Sequence, residues 1–396
     1  MLKKCVVIMV LFALVAGAAF AQITFGGQLQ EGMTLFSGTN VNDADVKMGG
    51  TYNSTYHEAK FSVLFGDGTA GGRLVFNTMG NSAWGWMQWR PNQYFRVKIG
   101  SDGDGEGGFP QIIGWGFTGE AKNSVAAVND YQGGLYMAYR HAGLNYGGFD
   151  GSGNFNLMFT VFPTDLISVN FLFRDFDKEQ EASQRLATMQ IYSNIKLEGV
   201  GTIRFAAVGS GGLAKHVDEG GTAKDGDGKA VLHLAFYSNE IVQGLAFEAG
   251  TQIDLPHRLY GNYSPVKVGG GLNLTATDPF NLKIRAGVSL PSGQKYDAKT
   301  DSLVDDALNT GFSIGLLPSY KLPKMTIFLH AGFGMETYND ESKDSKNEWF
   351  INPYIWVPMG GMRMWVGLQI IDKHGSRPDE AGEFAWNIPF GFNFYF

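Results

Sequence analysis

Residues 384–396 read FAWNIPFGFNFYF, and every even position is large and apolar: Phe384, Trp386, Ile388, Phe390, Phe392, Phe394 and Phe396. The odd positions hold Ala385, Asn387, Pro389, Gly391, Asn393 and Tyr395. Consecutive side chains of a strand point to opposite faces, so the segment has one apolar face and one small or polar face. The same division recurs upstream. In 280–290 the apolar set is Phe280, Leu282, Ile284, Ala286, Val288 and Leu290, against Asn281, Lys283, Arg285, Gly287 and Ser289. In 325–335 it is Met325, Ile327, Leu329, Ala331, Phe333 and Met335; in 362–370 it is Met362, Met364, Val366, Leu368 and Ile370. In 243–254, Leu245, Phe247, Ala249, Thr251 and Ile253 oppose Glu248, Gln252 and Asp254. Runs of this length suit a tilted strand that crosses a bilayer, roughly 9–11 residues.

No segment with a helical period follows the first twenty-odd residues. That excludes a helical membrane protein and disfavours an α/β enzyme, whose strands alternate with helices. The connections alternate in length. Short ones lie near Pro163, at Glu198 to Gly201, Asn239 to Gln243, Asp278-Pro279, Leu322-Pro323 and Met359 to Gly361. Long polar ones lie at 175–186, 210–228, 255–265, 291–309, 337–347 and 372–383. Short turns at one end and long loops at the other are the rhythm of an up-and-down barrel. The 55 glycines and 14% aromatic content fit a barrel wall with aromatic girdles.

Counting back from Phe396, the expected strands are 384–396, 362–371, 348–358, 324–336, 310–320, 280–290, 266–276, 243–254, 229–238, 201–209, 187–197, 166–174, 154–162, 93–100, 83–89, 70–78, 55–66 and 23–36. The fold class is therefore all-β: a transmembrane antiparallel up-and-down β-barrel of about 18 strands. A hairpin within 131–149 would raise the count to about 20, and merging early runs would lower it to about 16. Such a barrel encloses an aqueous lumen unless something plugs it.

Lys3 and Lys4 precede an uncharged apolar run from Cys5 to Ala21 that ends Ala19-Phe20-Ala21. These are the parts of a secretory signal peptide, so residues 1–21 are expected to be a leader and 22–396 the barrel. Cys5 is the one cysteine, so the remaining chain has no disulfide, thiolate metal site or cysteine nucleophile. Losing the two leader lysines makes an already acidic chain (31 basic residues against 38 acidic) more so. A basic surface for nucleic acid is thereby excluded.

By strand parity the water-facing side carries Lys60, Arg73, Arg96, Lys98, Arg174, Lys196, Arg204, Lys267, Lys283, Arg285 and Arg363. Fewer acids share it: Glu58, Glu198, Glu248 and Asp254. Charged rings set pore selectivity, so this wall is expected either to lean toward anions or to pair its charges locally. Residues 101–152 form the longest interval without an expected strand, and such intervals are usually functional or disordered. With Asp102, Asp104, Glu106 and Glu120, this interval either folds inward to narrow the lumen or lies over its mouth.

Asp102, Asp104 and Glu106 have the spacing of a calcium loop, but its twelfth position is Ile113. Asp225-Gly226-Asp227-Gly228 is shorter still, so no metal site is assigned and loop calcium stays open. The seven histidines form no HExxH or HxxxH pair, and no GxSxG, phosphate loop or dinucleotide fingerprint is present. Neither an enzyme nor a cofactor is expected.

The run FGFNFYF resembles the C-terminal β-signal of bacterial outer-membrane barrels. That resemblance implies that Phe392, Phe394 and Phe396 are read by the barrel-assembly machinery. Residues 86–105, WMQWRPNQYFRVKIGSDGDG, resemble a segment of porin-like barrels of spirochaetes (Treponema-type). Trp89, Arg90, Pro91, Phe95, Ile99, Gly100, Asp102 and Gly103 carry the match. The expected function is an outer-membrane porin for passive diffusion of small hydrophilic solutes, with the membrane lipid and those solutes as partners. Two alternatives remain: a surface adhesin using the loops 210–228 and 291–309, and a nutrient-specific channel using Trp365, Tyr192, Tyr237 and Tyr395. No interface for a homo-oligomer is legible.

Overall fold

The computed structural model describes residues 23–39, 46–48, 58–66, 69–77, 82–101, 155–173, 182, 189–210, 216–217, 223–224, 229–254, 266–290, 294–297, 302–305, 308–338, 345–372 and 384–396. The expected leader, the 131–149 hairpin, the interval 102–152 with Asp102, Asp104, Glu106 and Glu120, both calcium candidates and Arg174 lie outside the described residues.

Eighteen strands close into one antiparallel barrel. The first nine are β1 (Ile23–Thr39), β2 (Glu58–Gly66), β3 (Ala70–Asn77), β4 (Ser82–Asn92), β5 (Phe95–Gly100), β6 (Asn156–Thr164), β7 (Ile167–Phe173), β8 (Gln190–Leu197) and β9 (Gly201–Ser210). Then follow β10 (Lys229–Val242), β11 (Leu245–Asp254), β12 (Val266–Thr277), β13 (Phe280–Leu290), β14 (Leu308–Leu322), β15 (Met325–Tyr338) and β16 (Lys346–Met359). β17 runs as Met362–Gly367 and Gln369–Asp372, and β18 is Phe384–Tyr395. Each strand corresponds to one read from the sequence. Every strand pairs with its sequence neighbours, and β18 returns to β1 over Gln28↔Tyr395 to Thr39↔Ala385. At the seam the Gly27 amide donates to the Phe396 carbonyl at 2.8 Å, and the Phe396 amide donates to the Gly27 carbonyl at 3.1 Å. Closure satisfies every edge, as a lipid-embedded sheet requires.

The two faces divide as the period predicts. On β15, Ile327 and Leu329 point outward and are 42% and 41% exposed, while Phe328 and His330, which alternate with them, are 8% and 0% exposed. On β18, Asn387 and Asn393 are buried inward, and Phe392 and Phe394 face out. Among the described residues, Glu31 is the one ionisable outward-facing group between the two rims; it lies opposite Phe392. An apolar exterior around a polar interior makes this a transmembrane barrel, crossed by strands rather than helices.

Several boundaries differ from the sequence reading, and three places show a local cause. β10 continues past Ser238 to Val242, because its pairing with β11 resumes at Val242↔Leu245 beyond a register shift. The reversal then falls at Gln243 and Gly244, where Gly244 adopts φ 75° and its amide donates to Glu240 Oε1 at 3.3 Å. β4 runs through Pro91, whose missing N–H falls within the register shift between Trp89 and Asn92. β17 is interrupted at Leu368, whose amide still donates to the Pro353 carbonyl at 2.9 Å.

Candidate functional site

The inward wall is uneven in charge. From β3 to β9 the described inward side chains include basic groups and no carboxylate. Several of the basic groups contact neutral side chains. Arg73 lies over the Trp84 ring at 5.8 Å, and Lys98 lies over Trp86 at 4.4 Å. Phe162 on β6 takes Arg90 at 4.6 Å and Arg96 at 6.0 Å. Arg96 Nη2 also donates to Thr160 Oγ1 at 3.0 Å, and that hydroxyl donates to Asn170 Oδ1 at 2.7 Å. Arg204 Nε donates to Asn194 Oδ1 at 2.6 Å, and its Nη2 donates to the Tyr237 hydroxyl at 3.5 Å. The same guanidinium lies 5.6 Å from both the Tyr192 and the Tyr237 rings. Ring faces and amide oxygens orient a guanidinium without cancelling its charge, and a stacked guanidinium is weakly hydrated. Along the described strands of this arc the inward ionisable side chains are therefore basic, with Asp165 and Glu198 at its turns.

The opposite part of the wall mixes signs. Glu248 on β11 and Arg285 on β13 are separated by β12, where the facing residue is Gly271. With no side chain between them, Arg285 Nε approaches Glu248 Oε1 to 3.7 Å, and both side chains are almost fully buried. Glu336 and Glu348 are buried on β15 and β16, and the Tyr338 hydroxyl donates to Glu336 Oε2 at 2.9 Å. Lys267 and Lys283 share this side, on β12 and β13. Arg363 stands exposed near the β16–β17 turn, 5.0 Å from the Trp356 ring and 5.7 Å from Tyr395.

The structure thus places Arg73, Arg96, Lys98, Lys196 and Arg204 on β3, β5, β8 and β9 of one arc, and it sets Arg285 apart with a carboxylate partner. Lys60 faces inward on β2, in register with Gln28 and Asn77. Sequence reasoning missed Arg90, Phe162, Trp84 and Trp86 as members of the wall. Extending the alternation of β4 beyond Trp89 would have found Arg90, but Pro91 reads as a turn. Among the described residues, no three His, Cys, Asp or Glu side chains could together hold a metal ion.

No known family model matches the chain, and no curated protein matches it. Among solved structures, a BenF-like porin from Pseudomonas fluorescens Pf-5 is similar, with a TM-score of 0.50, 9% identity, and 95% of this chain and 99% of that one covered. OpdL of Pseudomonas aeruginosa matches with a TM-score of 0.49 at 10% identity, covering 95% and 99% of the two chains. An anion-selective porin from Comamonas acidovorans matches with a TM-score of 0.43 at 10% identity, covering 95% and 99%. The likeness to the BenF-like porin is one of fold, and the fold is that of the outer-membrane β-barrels.

Proposed function

We propose that the chain is an outer-membrane channel for passive diffusion of small hydrophilic solutes, and that it favours anions. Barrels of 16 to 18 strands are wide enough to leave an aqueous lumen. The observation that supports the ionic preference is the arc from β3 to β9, where the described inward strand side chains include basic groups and no carboxylate. The Glu248–Arg285 pair contributes little net field, so Arg96 and Arg204 are the residues that set the preference. Planar bilayers holding the purified chain test this. Single-channel conductance is expected, with a reversal potential on the anion side in a salt gradient. Arg96→Glu with Arg204→Glu moves that potential toward cations. A chain that inserts and passes no current refutes the channel, and an unmoved reversal potential refutes the arc.

A further inference from the structure

At the end of the barrel that carries the tight turns, the β6–β7 turn, the β8–β9 turn and Tyr237 to Asn239 on β10 border an open cleft of about 420 Å³. That volume is within the range of small-molecule sites. Its base is fixed by backbone: the Lys196 amide donates to the Leu166 carbonyl at 2.8 Å, and the Val200 amide donates to the Leu197 carbonyl at 3.0 Å. Lys196, Thr202 and Tyr237 occupy one register row on β8, β9 and β10, so they stand abreast along one wall of the cleft. Arg204, two residues further along β9, holds the Tyr237 hydroxyl at 3.5 Å and adds to the positive potential behind that wall. Asp165 and Glu198, both exposed, supply the opposite sign from the two turns.

We propose that this cleft binds small zwitterions, taking the anionic end at Lys196, Thr202 and Tyr237 and the cationic end at Asp165 and Glu198. Its chemistry differs from that of the basic arc deeper in the lumen. A simple anion meets two carboxylates here, and a simple cation meets Lys196. Only a solute with both charges satisfies both walls, which points to free amino acids and very short peptides. The proposal rests on the channel reading in placing these solutes on a transport path, but the binding itself can be measured apart from it.

Alanine and dialanine serve as zwitterionic probes, with acetate and ethylammonium as single-charge controls. Each is added to either side of a bilayer holding the purified chain. The zwitterions are expected to block current from the turn side at concentrations about tenfold lower than the controls, the order of one charge-assisted contact. Lys196→Ala, or Asp165→Asn with Glu198→Gln, erases that advantage. Lys196→Gln, which keeps the stem, replaces the alanine variant should that one fail to assemble. Equal block by all four probes, or an advantage untouched by these substitutions, overturns the proposal. Should no current flow, the channel reading fails, and equilibrium dialysis of labelled alanine against the detergent-solubilised chain decides the cleft. Binding that is lost in the Lys196 variant supports it, and no binding overturns it.

Discussion

Glu248→Gln removes the carboxylate that faces Arg285 across Gly271. The Arg285 and Glu248 side chains are 3% and 1% exposed, and Nε lies 3.7 Å from Oε1. At an effective dielectric of about 20, two unit charges at that separation attract by roughly 4 kcal/mol. Breaking a buried pair by removing one member typically costs about 3–5 kcal/mol, because the other charge stays desolvated. The contact is long and glutamine keeps an acceptor oxygen, so the lower end, about 3 kcal/mol, is expected. Glu248→Gln and Arg285→Gln together take both charges out of this part of the interior. The double variant should regain about 2 kcal/mol relative to the sum of the single changes, a coupling expected only of residues in contact. Urea-driven unfolding from lipid vesicles, followed by tryptophan fluorescence, measures each variant. If the two effects add to within about 0.5 kcal/mol, the argument that Gly271 brings the two charges together is wrong.

The lipid face offers a second test. Ile284 lies outward between Leu272 and Leu316 on the adjoining strands, so Ile284→Arg should cost roughly 2–4 kcal/mol in the same vesicle assay. An unaffected fold would mean that the two faces are interchanged. A third concerns assembly. Phe392, Phe394 and Phe396 face outward, and the Phe396 backbone makes two hydrogen bonds to Gly27. If this strand is read by the barrel-assembly machinery, deleting Phe396 lowers the amount of barrel in the outer membrane several-fold. In urea–vesicle titrations the stability should fall only by about the value of those two bonds, roughly 1–3 kcal/mol. An undiminished membrane yield refutes the signal.

Much of the architecture was legible because a strand's side-chain period is local. From Phe384 to Phe396 the alternation assigns each residue to lipid or lumen without knowledge of any neighbouring strand. The errors fell where local chemistry and pairing disagree. Asn239 and Glu240 have the composition of a turn, yet pairing with β11 carries the strand on to Val242. Pro91 ends a strand by propensity, yet β4 absorbs it at a register shift. The wall was legible as a set of inward residues and not as an arrangement. Arg285 and Arg96 read alike in sequence. In the fold one meets a buried carboxylate, and the other meets a ring and a hydroxyl.

The period along the chain was enough to specify a two-faced antiparallel barrel of about eighteen strands. Which side chains stand next to one another depends on how the strands pair. Lys196 with Tyr237, Glu248 with Arg285, and Arg90 with Arg96 on Phe162 are brought together by register between strands. Register is set by pairing over tens of residues, and the alternation within one strand carries no record of it.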